Sequence, residues 1–471
     1  MPCPRSMSRR AFLLGTGTGL AAGLSAGLLA FRGLNPQPTP SFPTPVVAKE
    51  REFGMPGRHA GRVIEVHHAA SVTPKNEVKR EAVRAMMERG ICELTGADRR
   101  YPDEAWKTMF DPAEVIGIKV NPVGLKTRAG VVGSISSPEI VLETVRGLKS
   151  AGVPTKNIII FERYANEFIS AGYADLLRTR EMDGVRWYAA AAGYTGTQLA
   201  IDGKDEPENY SSELLSHVVG YDPDAFVHMG FAAPEHSARD DRRFRSHLSL
   251  VVSKMVDKFI TIPVLKDHRS SGVTLSLKNM SHGMNNNVAR SHITGIAHGY
   301  PDSIAHGPIS PNQCNTFIPA GVNQVAIRQK ATLHILDGLI GVYEGGPGCW
   351  NKTWATWRHQ SLFFATDPVA MDHVGWDILD AKRIEEGLPR VGEMGRQMFT
   401  NAKKVQMALS PLGSQELTDA LTVTASERWV RGGGDSEVFD RRQPEHVYLA
   451  GSIGLGEYDL KKIVYRKLEV S

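Results

Sequence analysis

Seven short β-branched runs, spread over residues 62–470, constrain the fold of this chain most strongly. They read "RVIEVHH", "VIGIKV", "NIIIFE", "KFITIPVL", "TLHILD", "SLFFAT" and "KIVYRKLEV". Between several of them the apolar spacing changes from the strand period to the helical one. Val78, Ala82, Val83, Met86 and Ile91 fall on one face of a helix expected from Pro74 to Thr95. Ser137-Pro138 is a helix start with proline in the first turn, followed by Val141, Leu142, Val145 and Leu148. Gly152 ends that helix before "KNIIIFE". Strand–helix–strand order of this kind predicts an α/β fold, with a mixed, mostly parallel sheet and flanking helices. Two segments break the rhythm. Residues 190–245 hold the charge run "EHSARDDRRFR", which reads as a solvated insertion. Residues 281–320 read as a long polar loop insertion, a length that in compact domains goes with function or disorder.

The 471 residues carry a formal net charge of +4, and its location matters more than its size. Residues 1–48 contain Arg5, Arg9, Arg10 and Arg32 and no acidic residue, so the rest of the chain is neutral. A neutral body exerts no long-range pull on phosphate backbones, and nucleic acid is set aside as a partner. Arg9-Arg10, then Ala11, Phe12 and Leu13, resemble the twin-arginine export signature, ahead of an apolar run to Phe31 diluted by glycine. Residues 1–34 are therefore expected to be an export leader read by the twin-arginine translocation machinery, which places the protein in the periplasm. No clean cleavage site is visible, and an uncleaved leader would be the chain's one contact with a membrane. The five prolines of "NPQPTPSFPTP" make 35–61 a semi-rigid linker, and the α/β domain is expected over 62–471. The four cysteines, Cys3, Cys92, Cys314 and Cys349, show no C-x-x-C spacing. Cys3 lies in the leader, so three remain, which excludes a four-thiolate iron–sulfur cluster within one chain and leaves a Cys314–Cys349 disulfide open.

In open α/β sheets, ligands sit at the carboxyl ends of the strands. Four such ends carry polar residues here. "GIKVNPVG" delivers Lys119 and Asn121, and "IPVLKDH" delivers Lys266 and His268. "LHILDGLIGVYEGGPG" delivers Asp337 and Glu344, and "FFATDPVAMDHVGW" delivers Asp367, Asp372 and His373. Thr274, Lys278 and His282 recur at every fourth residue, one helix face, with Asn279 beside them. In "TDPVAM" Asp367 reads as a helix cap, whereas Asp372 lies past the cap. "EGGPGCW" offers backbone amides to a phosphate but lacks the Lys-Ser/Thr ending of a P-loop. Eight of the sixteen histidines fall within 228–306, none in the H-x-x-x-H spacing of a helical zinc site.

The same stretches resemble the domain of unknown function 362 family. "GIKVN", "SSPEIVLETVRGLKSAGVPTKNIIIFER", "ITIPVLKDHRSSGVTLSLKNMSHG", "LHILDGLIGVYEGGPG", "DPVAMDHVGWDIL" and "HVYLAGSIGLGEYDL" occur in the family's order, over roughly residues 115–460. Some relatives carry ferredoxin-like iron–sulfur modules, whose cysteine clusters this chain lacks. The resemblance implies fold and segment order, and the activity has to come from the residues.

Two classes of function follow. In the first, the chain is an enzyme acting on an anionic small molecule. His268, Lys266 and Lys278 are then the catalytic candidates, the lysines holding the anion and His268 moving a proton. Lys119, Asn121, Thr274, Asn279 and His282 are the binding candidates. Asp337, Glu344 and Asp372 are candidates to hold a divalent metal, since carboxylates suit hard or borderline cations. In the second class, the chain is a non-catalytic or redox accessory protein that binds a cofactor for a periplasmic partner.

Overall fold

All seven β-branched runs are strands in the computed structural model. The structure describes residues 54–125, 130–195, 198–230, 232, 236–268, 271–292, 314–349, 351, 353–388, 390–391 and 444–471. The leader, its Arg9-Arg10 pair and most of the linker lie outside the described residues, as do His298 and His306. Twelve strands occur among the described residues: β1 (Arg62–His67), β2 (Ile116–Lys119), β3 (Ile158–Tyr164), β4 (Arg186–Ala191), β5 (Tyr221–His228), β6 (Arg245–Ser249), β7 (Lys258–Thr261), β8 (Val264–His268), β9 (Gly272–Val273), β10 (Ala331–Glu344), β11 (Ala355–Ala365) and β12 (Val464–Glu469). The main sheet runs β12-β1-β11-β10-β7-β2-β3-β4, with β8 continuing the β7 edge beside β10 and β9 paired to β8. The fold is thus mixed α/β with a mostly parallel central sheet flanked by helices.

β3 shows why such strands read as unbroken apolar runs. Ile158 and Ile160 pack against the helices Arg80–Thr95 and Pro138–Ser150, through Val83, Met86, Val141 and Leu148. Ile159 and Phe161 face the other way, onto Leu277, Met280 and Ile318 of the helices Leu275–Ser281 and Cys314–Val322. With helices on both faces, neither side of a strand is left to solvent.

One strand reverses direction. β11 pairs antiparallel with both β10 and β1. Only residues 345–354 separate it from β10, too few for the crossover that a parallel pairing needs. Its carboxyl end, with Asp367, therefore lies at the opposite edge from the ends of β2, β3 and β8. Asp367 caps the Pro368–Glu385 helix as its sequence context predicts, accepting from the amides of Val369 and Ala370.

Several boundaries differ from expectation. The first helix begins at Arg80 rather than Pro74. Thr73 and Glu77 close a turn with Asn76 at φ 63°, and Val72 bridges Val78, so residues 74–79 are already committed to other hydrogen bonds. The expected polar loop over 281–320 ends in a helix from Cys314, because Ile318 and Val322 are buried against the main sheet and Phe317 against Val227 and Val288. The insertion over 190–245 carries β5, which pairs antiparallel with β6 just beyond it, and Asp241–Phe244 of the charge run form a short helical turn. Cys314 and Cys349 are both buried free thiols, so the pairing left open above is not formed. Among the described residues no helix is long and apolar enough to cross a membrane.

Candidate functional site

A cavity of about 490 Å3 opens at the carboxyl edge of β2, β3 and β8. Lys119 ends β2, and Glu162 and Arg163 stand near the end of β3. Lys266 and His268 come from β8, while Thr274, Lys278, Asn279 and His282 come from the Leu275–Ser281 helix and its two flanking residues. All of these line the cavity, together with Asn121. The eight lysine, histidine, asparagine and threonine candidates are thus gathered in one place. Lysine at both strand ends follows from topology, since parallel neighbours deliver their last residues to one edge.

Asp337, Glu344 and Asp372 do not line it. Asp337 accepts from the Ser137 amide at 2.8 Å, the Ser137 hydroxyl at 2.6 Å and the Leu339 amide at 3.0 Å. Asp372 accepts from the amides of Ser276 (2.7 Å) and Leu277 (2.9 Å), satisfying the start of the helix that carries Lys278. Glu344 pairs with Arg383 at 2.7 Å. Burial pushes Asp337 up to about 6 and Asp372 up to about 8, in each case against the pull of those donors. These carboxylates are spent on scaffolding, in three different places. The glycine turn is also used internally: the Gly346 amide donates to Asp267 Oδ1 at 2.7 Å, and Pro347 is the turn's residue on the cavity wall.

The cations differ in how they are compensated. Lys119 is fully engaged, with Glu162 at 2.5 Å, the Val120 carbonyl at 2.7 Å and Asn279 Oδ1 at 3.2 Å. Gly283 makes room for this arrangement. A Cβ there would stand 2.7 Å from Lys119 Nζ and 2.2 Å from the Asn279 carbonyl oxygen. Gly283→Ala is therefore expected to cost about 1–3 kcal/mol by overpacking, read as a lowered melting temperature.

Lys266 is different. Its side chain has no exposure, its Nζ donates to the Val123 carbonyl, and it makes no ion pair among the described residues. Burial pushes its ammonium down to about 7. Lys278 Nζ lies 3.0 Å from His292 Nε2 and 3.8 Å from Cys314 Sγ. It bonds to neither Asp337 nor Asp372. Glu167 also lines the cavity, and burial, then Glu162, raises its carboxyl to about 7.

Sequence reasoning missed Glu162, Arg163, Glu167, His292 and Cys314. The first two were within reach, since "IIIFER" ends a parallel strand in the same way as "GIKVN". Four wall residues also hold buried side-chain atoms without a hydrogen-bond partner: Arg163 Nε, Glu167 Oε2, Gln198 Nε2 and Asn279 Nδ2. Buried polar atoms are nearly always satisfied, and a cluster of exceptions on one wall marks a place for polar ligand or water.

Residues 243–377 match the family model described as Domain of unknown function (DUF362). The matched span runs from the start of β6 into the Pro368–Glu385 helix, and holds Lys266, His268, Thr274, Lys278, Asn279 and His282. Lys119, Asn121 and the Glu162–Arg163 pair fall before it, so the match is shorter than the resemblance seen in the sequence. No curated protein and no solved structure matches the chain. His282, His292 and Cys314 present ligand atoms all within 4.8 Å of one another, a group of the type that holds a metal ion.

Proposed function

We propose that the protein is an enzyme that binds an anionic small molecule, bearing a carboxylate or phosphoryl group, in this cavity. The observation that carries the reading is Lys266: a wholly buried ammonium on the cavity wall whose hydrogen bond goes to a backbone carbonyl, with Asp267, Glu167 and Glu162 near enough to act on its charge but none in direct ion pair with it among the described residues. Burying such a group is costly unless an opposite charge joins it. Lys119, Arg163, Lys266 and Lys278 face the cavity against Glu162 and Glu167, which leaves positive charge to be neutralised. Asn279 Nδ2 and Arg163 Nε supply further donors beside it. His268 is buried on the same wall, and in this reading it is the group that exchanges a proton with the bound molecule. Shifted titration of Lys266 and Glu167 in one cleft favours chemistry over storage, because catalytic groups need their proton affinities near the working pH. The leader proposed from Arg9-Arg10 would place this chemistry outside the cytoplasm.

The test is sulfate binding followed by calorimetry between about pH 6 and pH 8.5, since sulfate keeps its charge throughout. Lys266 is charged below about 7 and loses its proton above it. Glu167 is neutral below about 7 and becomes a competing anion above it. Both changes act in the same direction. Affinity should fall as pH rises through 7, by roughly tenfold per unit for each linked proton. A flat profile, or tighter binding at the alkaline end, would remove the cavity from consideration as an anion site.

A further inference from the structure

We infer that His282, His292 and Cys314 form a mononuclear site for a borderline divalent metal ion of the zinc class. This goes beyond anion binding and stands on a different set of atoms.

The two imidazoles are oriented alike. His292 Nδ1 lies 3.3 Å from the Val288 carbonyl oxygen, which only an N–H can satisfy, so its Nε2 carries the lone pair. His282 Nδ1 lies 3.1 Å from the Ser281 hydroxyl, which leaves its Nε2 pointing at Ser291 Oγ (2.8 Å) and Cys314 Sγ (3.8 Å). Holding Nδ1 and presenting Nε2 is how proteins aim histidine at a metal. Tetrahedral zinc with bonds of about 2.0 Å to nitrogen and about 2.3 Å to sulfur separates those two ligands by roughly 3.5 Å. The observed 3.8 Å is close to that spacing.

Two of the three ligand atoms already hold a cation beside them. Lys278 Nζ sits 3.0 Å from His292 Nε2 and 3.8 Å from the Cys314 sulfur. A metal ion and the Lys278 ammonium therefore compete for the His292 nitrogen and the Cys314 sulfur. Two imidazoles and a thiolate suit zinc-class ions better than magnesium or calcium, which take oxygen ligands. His282 and His292 line the cavity, so three protein ligands would leave a fourth position on the side where the anion is proposed to bind.

The test uses the full chain, stripped with chelator and titrated with Co2+ and then Zn2+. One Co2+ per chain should bind with a near-ultraviolet sulfur-to-cobalt charge-transfer band, and Zn2+ should displace it. Cys314→Ser should abolish the band, whereas Cys92→Ser and Cys349→Ser should leave it intact. His292→Gln should weaken binding by at least about tenfold. Lys278→Met should tighten it, because the competing ammonium is gone. X-ray absorption of the zinc-loaded wild type gives an outcome that depends on no variant: one sulfur and two imidazole nitrogens in the metal's shell. Absence of the band at saturating Co2+, its survival in Cys314→Ser, or a zinc shell without sulfur would each overturn the site.

Discussion

Lys266→Met should raise the melting temperature of the ligand-free protein at neutral pH and weaken sulfate binding by roughly ten- to a hundredfold. The two effects share one cause. An unfolded lysine ionises near 10.4, while burial holds Lys266 down to about 7. Between those values the unfolded chain binds the extra proton. The stability contributed by this residue therefore rises with pH across that window and is lowest at neutral pH and below. Methionine keeps most of the stem's volume and removes the ionisable end. Replacing buried charge with an apolar side chain often stabilises by about 1–4 kcal/mol. Loss of the donor to the Val123 carbonyl offsets roughly 1 kcal/mol of that gain. Sulfate binding loses a charge-assisted hydrogen bond worth about 1.5–3 kcal/mol, which sets the fold-change. Thermal melts and calorimetry on the same preparation check both halves. A variant that melts lower than wild type while binding sulfate normally would mark Lys266 as a structural residue.

Asp367→Ala should destabilise the protein by about 3–5 kcal/mol, the largest stability loss expected from one surface-remote polar change here. Its carboxylate is fully buried and accepts four backbone amides. Oδ1 takes those of Val369 and Ala370, each at 3.0 Å, and Oδ2 takes those of Gly61 and Glu457, each at 2.9 Å. One side chain thus ties the entry to β1, the start of the Pro368–Glu385 helix and the segment leading to β12. Alanine leaves four donors unpaired, whereas Asp367→Asn keeps one acceptor and should lose about half as much. Urea unfolding gives the ordering directly: wild type, then asparagine, then alanine. Equal midpoints for all three would mean that water replaces the carboxylate at no cost.

Asp367 also shows how much the sequence could say. Its role as a cap was legible in "TDP", because capping is a local contract between a side chain and the next three amides. The seven strands were legible for a similar reason: period-2 and period-3.6 apolar spacing encodes which faces are buried. The reversal of β11 was written in the short gap after "GVYE". With that reversal Asp367 ends at the other edge from the lysines.

Partner choice was another matter. Lys119 and Lys266 look equivalent in "GIKVN" and "PVLKDH", yet Glu162 neutralises the first and a backbone carbonyl receives the second. Asp337 and Asp372 look like metal ligands in one dimension, and in three they satisfy Ser137 and the first turn of the Leu275–Ser281 helix. Cys314 stands 32 residues beyond His282 and meets it at 3.8 Å. Hydrophobic period records that a residue faces inward but carries no record of which distant segment it faces. Packing of the helices onto the sheet selects those neighbours, and with them which charges are cancelled, which are left for a ligand, and where a metal fits.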